Sequence, residues 1–301
     1  MKNLTLKQLR YFEALVKHGH FGRAADACAI SQPALSVQIK ELEQNLGTPL
    51  FERGPRQVRL TSFGEDWALR VRDILRGVDE LGEMARAAQS GMMGRLRIGV
   101  IPTIAPYLLP QLIGQLGQIF PALELDVRET VTPKLLEELG DGQIDTAIVA
   151  LPVNEPAFEE IALFDETLKL VRPKAQAGQP VPSAHELREL RLLMLEEGHC
   201  FRDQALSFCN LQGARPRGGL EGSSLSTLVQ MVGAGIGVTL IPDMAVPVET
   251  RSAPVCVDRF AAPEPMRTVG MIWRKTNPLA GQLLDVAQVV RDVGRGRHAK
   301  A

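Results

Sequence analysis

A long helix predicted over residues 62 to 89 divides this 301-residue chain into a small head and a larger body. Ser62 and Glu65 have the spacing of a capping box at its start, and Ser90-Gly91 ends it. Its ~27 residues would extend ~40 Å. Apolar residues recur alternately four and three positions apart, at Trp67, Val71, Ile74, Val78, Leu81, Ala85 and Ala88. This repeat is typical of a coiled-coil seam, so we expect dimerisation; the alternative is packing on its own domain.

The head contains three predicted helices. The first begins with a capping box at Thr5 and Gln8 and ends at Gly19, and the second covers about residues 21–28. Ser31 caps the third, which ends at Gly47. Leu35, Ile39, Leu42 and Leu46 form the buried stripe of this third helix, leaving the opposite side of its first half for contacts.

Two short β-like runs follow the third helix and predict a basic hairpin. Leu50-Phe51 and Val58–Leu60 flank the turn Gly54-Pro55, and Arg53, Arg56 and Arg59 lie around it. Arginines on such a wing suit phosphates or a minor groove. Three helices and a basic wing predict a winged helix-turn-helix that binds DNA; the alternative is a three-helix bundle whose hairpin binds protein.

Charge is unevenly distributed between the head and the rest. Residues 1–62 contain nine Lys or Arg and five Asp or Glu, a net charge of +4, whereas the remainder carries 25 basic and 30 acidic residues. A basic head suits a nucleic-acid partner. No apolar run approaches the ~18 residues of a membrane span, and the start lacks a signal-peptide apolar block. We therefore expect a cytoplasmic protein without membrane contact, in which the four cysteines form no permanent disulfide framework.

The body begins with an alternation of strands and helices. RLRIGVIPTIAPYLLPQLIGQLGQIFPALELDVRE and ETVTPKLLEELGDGQIDTAIVAL predict β-α-β-α-β and hence a parallel sheet. Further strands are expected near 167–172, 191–195, 217–221, 237–241 and 268–273, with helices near 200–210 and 279–293. This order predicts two α/β lobes, the chain leaving the first near residue 167 and returning near 268.

Thr103 and Thr132 each follow a strand of this sheet, just before a helix. Hydroxyls beside the free N–H groups of helix N-termini suit a small polar or anionic ligand, although each alone is typical of an N-cap. Because the carboxyl ends of neighbouring parallel strands share an edge, we expect a ligand site there.

Cys200 and Cys209 lie in the segment LMLEEGHCFRDQALSFCN. Cys200 is predicted at a helix N-terminus beside His199 and near Arg202, where positive potential favours the reactive thiolate. Nine positions along one α-helix separate residues by ~13.5 Å, whereas a disulfide requires Cα atoms within ~7 Å. A bond between these two cysteines would therefore require the helix to refold. Alternatively both are buried packing residues, as we expect for Cys28 and Cys256.

The head closely resembles the DNA-binding domain of the LysR family. The resemblance covers about sixty residues and rests on AA in the second helix, SQPALS at the start of the third, and LGTPLFER. It implies a tetrameric or dimeric regulator whose linker helix dimerises and whose α/β body is like type 2 periplasmic binding proteins. The DNA contacts it implies lie at Arg23, Gln32, Pro33, Ser36, Lys40, Arg53 and Arg56.

The body is similar to peroxide sensors of the OxyR type within that family. The resemblance rests on GHCFRDQALSFC, IPTIAPYLLP and PEPMRTVG. It implies that Cys200 is the peroxidatic thiol and Cys209 the resolving thiol, and that Thr103, Thr132, His199 and Arg267 hold hydrogen peroxide. It also implies an activator of antioxidant genes that is not an enzyme, needs no cofactor or metal, and works with RNA polymerase and a thiol reductant such as glutaredoxin or thioredoxin.

We thus expect a winged helix-turn-helix at 1–62, a linker helix at 63–92 and a sensing domain at 93–301. Its first lobe would comprise about 93–166 and 268–301, and its second about 167–267. The main alternative is a LysR-type regulator that binds a small metabolite between the lobes. A thiol peroxidase with a DNA-binding head and a solute-binding protein are two further alternatives.

Overall fold

The computed structural model describes residues 4–53, 58–87, 94–183, 186–208 and 220–298. The chain divides into two compact units, Met1–Ala85 and Arg86–Ala301. Among the helices within the described ranges, none has both the length and the apolar character needed to cross a bilayer.

The first unit begins with three helices and a two-stranded wing, as the sequence predicted. They are α1 (Leu6–His18), α2 (Phe21–Ala27), α3 (Gln32–Leu46), β1 (Phe51–Arg53) and β2 (Val58–Leu60). The Thr5 hydroxyl accepts from Gln8 N, completing the predicted capping box, and Ser31 caps α3 by accepting from Ala34 N. Gly19 and Gly47 end α1 and α3 in the left-handed region, at φ 59° and 73°.

The periodic apolar residues of these helices form one core. Phe12, Leu15, Leu35, Ile39 and Leu42 are buried, and the Phe12 ring lies 5.2 Å from that of Phe51. Strand β2 pairs antiparallel with β1. The turn that the sequence predicted between them, with Arg56, lies outside the described residues.

The long helix α4 (Ser62–Ala87) begins with a different cap from the one predicted. Thr61, not Ser62, provides the capping hydroxyl: it accepts from Gly64 N at 3.0 Å. Ser62 is already the first helical residue, so its side chain has no free first-turn N–H in reach. The same Thr61 hydroxyl donates to Pro49 O at 2.9 Å, which ties the helix start to the wing.

Only some of the residues in the predicted seam of α4 pack against the head core. Val71 is fully buried in the head core, and Trp67 packs against that core. Ile74 and Leu81 are 45% and 63% exposed. The first turns therefore stabilise the head, while Ile74 and Leu81 face solvent, Val78 is half-buried and the side chain of Ala85 lies outside the described residues. Ala88 lies outside the described residues, and dimerisation through the exposed positions stays a prediction.

The second unit begins with the predicted parallel β-α-β-α-β arrangement. Strand β3 (Gly94–Val100) pairs in parallel with both β4 (Leu123–Glu129) and β5 (Thr146–Leu151). Helices α5 (Ala105–Ile119) and α6 (Thr132–Gly140) connect them. Apolar residues of β3, β5 and α5 form the centre of this unit's core, among them Ile98, Val100, Leu108, Leu112, Ile148 and Val149.

A 16-residue strand, β6 (Phe158–Pro173), connects the two parts of the sheet. Up to Thr167 it pairs antiparallel with β11 (Met266–Arg274), which also pairs with β5. From Leu168 it pairs instead with β9 (Thr239–Pro242) and β10 (Val255–Asp258). The prediction of a strand near 167–172 was thus too short, and β10 was missed. This change of partners supports the lobe boundary near 167, which remains our proposal.

The remaining elements lie beside this second part of the sheet, except the last helix, which packs on α5 and on the first part of β6. A short parallel pair is formed by β7 (Met194–Leu195) and β8 (Glu221–Gly222). Strand β7 is shorter than the strand predicted near 191–195, and most of the strand predicted near 217–221 lies outside the described residues. Helices α7 (Cys200–Phe208), α8 (Leu225–Gly233), α9 (Val246–Glu249) and α10 (Ala280–His298) complete the unit, with 3-10 turns at Lys174–Gln176, Glu186–Arg188 and Asp243–Ala245.

Candidate functional site

Cys200 is the first residue of α7 and is half-buried, as a free thiol. Two residues earlier, Gly198 has a φ of 94°, which favours glycine. A Cβ at Gly198 would lie 3.8 Å from Val131 Cγ2. The segment that leads into Cys200 therefore lies against the residue that precedes α6.

Thr132 follows Val131 and offers an unused hydroxyl. It is the first residue of α6, whereas the sequence predicted that it would lie just before the helix. Its Oγ1 is buried and has no hydrogen-bond partner among the described residues. Buried hydroxyls are normally paired, so this one is available to a small polar ligand.

Arg267, on β11, is fully buried and strongly bonded. Its Nη1 donates to Thr103 Oγ1 at 2.8 Å, and its Nη2 donates to Thr103 O at 3.0 Å. Its Nε donates to Glu166 Oε2 at 2.8 Å. The guanidinium also lies 5.5 Å from the ring centre of Phe201, the residue that follows Cys200. The ring of Phe201 thus brings the start of α7 to the Arg267–Thr103 pair.

Thr103 does not occupy the helix terminus predicted for it. Helix α5 begins two residues later, at Ala105, and its N-cap Ile104 makes no side-chain cap bond. Thr103 is 2% exposed and bonds with Arg267 instead. The prediction of a helix-terminal hydroxyl was wrong because a guanidinium distant in sequence takes this oxygen. Thr103 and Arg267, which the family resemblance placed in one site, are nevertheless in direct contact.

The cationic neighbours predicted for Cys200 are otherwise engaged. Arg202 Nη1 donates to Glu221 Oε1 at 2.7 Å and to Leu195 O at 2.9 Å, so its charge is already paired. Burial lowers the pKa of His199, with a smaller opposing effect of Glu196, so that its imidazole is neutral at pH 7. A buried arginine remote in sequence, Arg267, lies over the ring of Phe201 and is itself paired with Glu166.

The other end of α7 is anchored by an aromatic contact. The ring centres of Phe208 and Phe260 lie 4.9 Å apart with planes at 64°. Phe260 is 7% exposed. Cys209, the next residue, lies outside the described residues. Phe208 is eight residues from Cys200, which corresponds to about 12 Å along the intact helix.

The two other described cysteines occur in packing environments. Cys28 contacts the head core, and the Cys256 thiol lies 3.6 Å from the carbonyl oxygens of Arg172 and Pro173. Burial raises the pKa of both thiols. A raised pKa reduces the reactive thiolate fraction, in agreement with the packing role proposed for both.

A candidate DNA surface is present on the head. Gln32, Pro33, Ser36 and Lys40 are exposed along one side of α3, and Arg23 is exposed on α2. Leu35 and Ile39 are buried on the opposite side, so helical periodicity presents the four polar-face positions together. The backbone of Arg53 ends β1, but its side chain lies outside the described residues. Arg59 is exposed on β2, and Arg56 lies outside the described residues altogether.

These two units match two family descriptions. Residues 6–65 match "Bacterial regulatory helix-turn-helix protein, lysR family", and residues 89–295 match "LysR substrate binding domain". The chain therefore belongs to the LysR family of helix-turn-helix regulators.

Within that family, the chain is similar over nearly its whole length to regulators named for hydrogen peroxide or OxyR. The chain is 43% identical over 291 residues to the "Hydrogen peroxide-inducible genes activator" of Dickeya chrysanthemi, covering 96% of this chain and 95% of the relative. It is also 43% identical to the "DNA-binding transcriptional dual regulator OxyR" of Escherichia coli K12, covering 96% and 95%.

Solved structures of the same name share the fold. A full-length OxyR cysteine variant from Pseudomonas aeruginosa is 37% identical, with a TM-score of 0.76, and the match covers 97% of this chain and 96% of that one. A mutant of Corynebacterium glutamicum OxyR described as H2O2-bound is 33% identical, with a TM-score of 0.67 and coverage of 98% and 94%.

Sequence reasoning missed Glu166 entirely. It lies within the long strand β6, is 1% exposed, and forms a fully buried ion pair with Arg267. Its second oxygen accepts from Met244 N at 2.7 Å. The only sequence indication of its role is an acidic residue within the strand segment LFDETLKL. This indication is weak, because nothing nearby in the sequence shows that its partner is 101 positions away.

Proposed function

We propose that this chain is a DNA-binding transcription activator that senses hydrogen peroxide through oxidation of Cys200 and a disulfide with Cys209. The observation that carries the proposal is the position of Cys200 at the start of α7, next to Phe201, whose ring lies against Arg267. The names of the relatives support the same signal.

The first step is oxidation of Cys200. Its thiolate attacks one oxygen of hydrogen peroxide, so that an S–O bond forms and the O–O bond breaks. The departing hydroxide takes a proton and leaves as water, and Cys200 becomes a sulfenic acid. Arg267 and Thr103 would donate hydrogen bonds to the departing oxygen, and Thr132 and the neutral His199 would hold the other end of the peroxide.

The second step is disulfide formation. The Cys209 thiolate attacks the Cys200 sulfur, an S–S bond forms, the S–O bond breaks and a second water leaves. The electrons balance, because the two thiols together lose two electrons and one peroxide gains them. A dithiol reductant such as thioredoxin or glutaredoxin would restore the thiols, so peroxide is consumed once per reduction cycle.

Disulfide formation would also change the conformation. Phe208 is held about 12 Å along α7 from Cys200, and a disulfide needs Cα atoms within about 7 Å. Helix α7 must therefore unwind in part, and we propose that it does so at its C-terminal end, where Phe208 leaves Phe260. We propose that this rearrangement changes how a homodimer or homotetramer in the cytoplasm binds a near-palindromic operator and engages RNA polymerase.

Peptide mapping of the alkylated protein tests the cysteine chemistry. After one equivalent of hydrogen peroxide, mass spectrometry should find Cys200 joined to Cys209, with Cys28 and Cys256 alkylated. Cys200→Ser should bind operator DNA normally but lose the peroxide-dependent change, whereas Cys209→Ser should accumulate sulfenic acid. If both thiols remain free at that dose, the signal is another ligand, such as a small metabolite.

A further inference from the structure

We infer that Glu166 is a positioning and specificity residue of the Cys200 site: its buried carboxylate fixes Arg267 on Thr103 and cancels its charge, so that the site admits an uncharged hydroperoxide and excludes anions. This inference rests on the proposed function. It concerns how the site selects its ligand, which the oxidation chemistry alone does not explain.

The contacts of Glu166 use both of its carboxylate oxygens. Oε2 accepts from Arg267 Nε at 2.8 Å and lies 2.8 Å from Nη2 in the ion pair, and Oε1 accepts from Met244 N at 2.7 Å. The side chains of Glu166 and Arg267 are both 0% exposed. Because one edge of the carboxylate is fixed by a backbone N–H, the other edge holds the guanidinium in one orientation.

That orientation determines which donors remain for a ligand. An arginine has five N–H groups. The bond to Glu166 takes the Nε hydrogen, and the bonds to Thr103 take one hydrogen on Nη2 and one on Nη1. Within the described residues, this leaves one hydrogen on Nη1 and one on Nη2, and Nη2 lies 2.8 Å from Glu166 Oε2 in the ion pair. The Thr103 hydroxyl accepts from Arg267, so its own proton is also free to be donated.

A site with this pattern suits a small neutral molecule. Carboxylate and sulfate bind arginine best through two parallel N–H bonds, and Glu166 already occupies the Nε–Nη2 edge. The ion pair has no net charge, so a buried anion would gain little attraction to offset its lost hydration. Hydrogen peroxide is uncharged and can accept one hydrogen bond from each remaining donor.

Glu166→Gln separates this role from a structural one. The amide can still accept from Met244 N and has nearly the same size, but it leaves the Arg267 charge uncompensated. We expect oxidation of Cys200 to slow roughly tenfold to a hundredfold, because displacement of a catalytic group by about 1 Å has effects of that size. We also expect sulfate to slow the variant further, since the site now attracts anions.

The assay uses the full-length chain with Cys209→Ser, so that sulfenic acid accumulates and can be trapped and quantified by mass spectrometry. Rates with hydrogen peroxide are compared in sodium sulfate and in sodium chloride of equal ionic strength. Glu166→Asp keeps the charge but shortens the side chain, so it should be slow and insensitive to sulfate. Asp258→Asn, which removes the partner of another buried arginine, Arg172, is the matched control and should behave like the parent.

The outcomes distinguish the inference from the proposed function. The inference is overturned if Cys200 in Glu166→Gln is oxidised at the parental rate. It is also overturned if oxidation in this variant is slow but does not respond to sulfate. Sulfate protection of the parent protein overturns it as well, and this measurement stands even where Glu166→Gln does not fold, which a thermal melt will show. Failure of the parent to form sulfenic acid with peroxide would instead refute the proposed function.

Discussion

Replacing Phe208 by leucine should make the Cys200–Cys209 couple easier to oxidise. In the reduced protein the Phe208 ring packs edge-on against Phe260, with centres 4.9 Å apart. A contact of this kind contributes about 0.5–1.5 kcal/mol beyond its buried area. If disulfide formation separates the rings, the contact stabilises only the reduced state. Phe208→Leu then lowers the reduction potential by about 10–30 mV, because 30 mV corresponds to about 1.4 kcal/mol for two electrons.

The potential is measured by equilibrating the protein in graded dithiol–disulfide buffers and counting alkylated cysteines by mass. Phe51→Leu is the control: it disrupts a comparable ring pair in the head, at 5.2 Å from Phe12, and should leave the potential unchanged. Phe260→Leu should shift the potential in the same direction, and the double variant by less than the sum. An unchanged or raised potential in Phe208→Leu would mean that the rings stay together on oxidation, which contradicts the unwinding of α7.

Three further predictions concern stability, pH and DNA. Thr61→Ala should lower the free energy of unfolding of the head by about 0.5–2 kcal/mol in denaturant titrations, and Ser62→Ala by less, because Thr61 holds the cap. Burial lowers the pKa of His199 in the folded state, so the unfolded chain takes up the proton first as the pH falls. The parent should therefore lose stability as pH falls below 6.5, and thermal melts of His199→Gln should show a smaller loss. Arg59→Ala should weaken operator binding on all sequences and reduce the salt-dependence slope by about 0.9, as measured by fluorescence anisotropy.

Local patterns were enough to predict the head and the first half of the body. The capping box at Thr5 and Gln8, the glycines at positions 19 and 47, and the alternation of strands and helices depend on neighbours within a few residues. The same holds for the start of α7 at Cys200. The error at Thr61 is small in position but informative, because the Thr61 hydroxyl is also held by Pro49 O, twelve residues earlier and just before the wing.

The electrostatics of the site could not be predicted in the same way. Sequence neighbours suggested Arg202 and His199 as the cations beside Cys200, but Arg202 pairs with Glu221 and His199 is neutral. The sequence similarity indicated Arg267, yet its partner Glu166 reaches it only because β6 and β11 are adjacent in the sheet. Pairing of strands so distant in sequence leaves no periodic signal at either residue.

The two ends of α7 therefore have different tasks in the proposed mechanism. At the N-terminal end, Phe201 fixes Cys200 relative to Arg267, and its geometry determines how fast peroxide reacts. At the C-terminal end, Phe208 and Phe260 determine how much free energy the unwinding requires. Because formation of the sulfenic acid adds one oxygen at the first end and breaks no contact at the second, the reaction rate and the equilibrium of the switch can be altered independently. Substitutions near Arg267 should change the rate at which peroxide is detected, and substitutions near Phe260 should change the redox poise at which the response occurs.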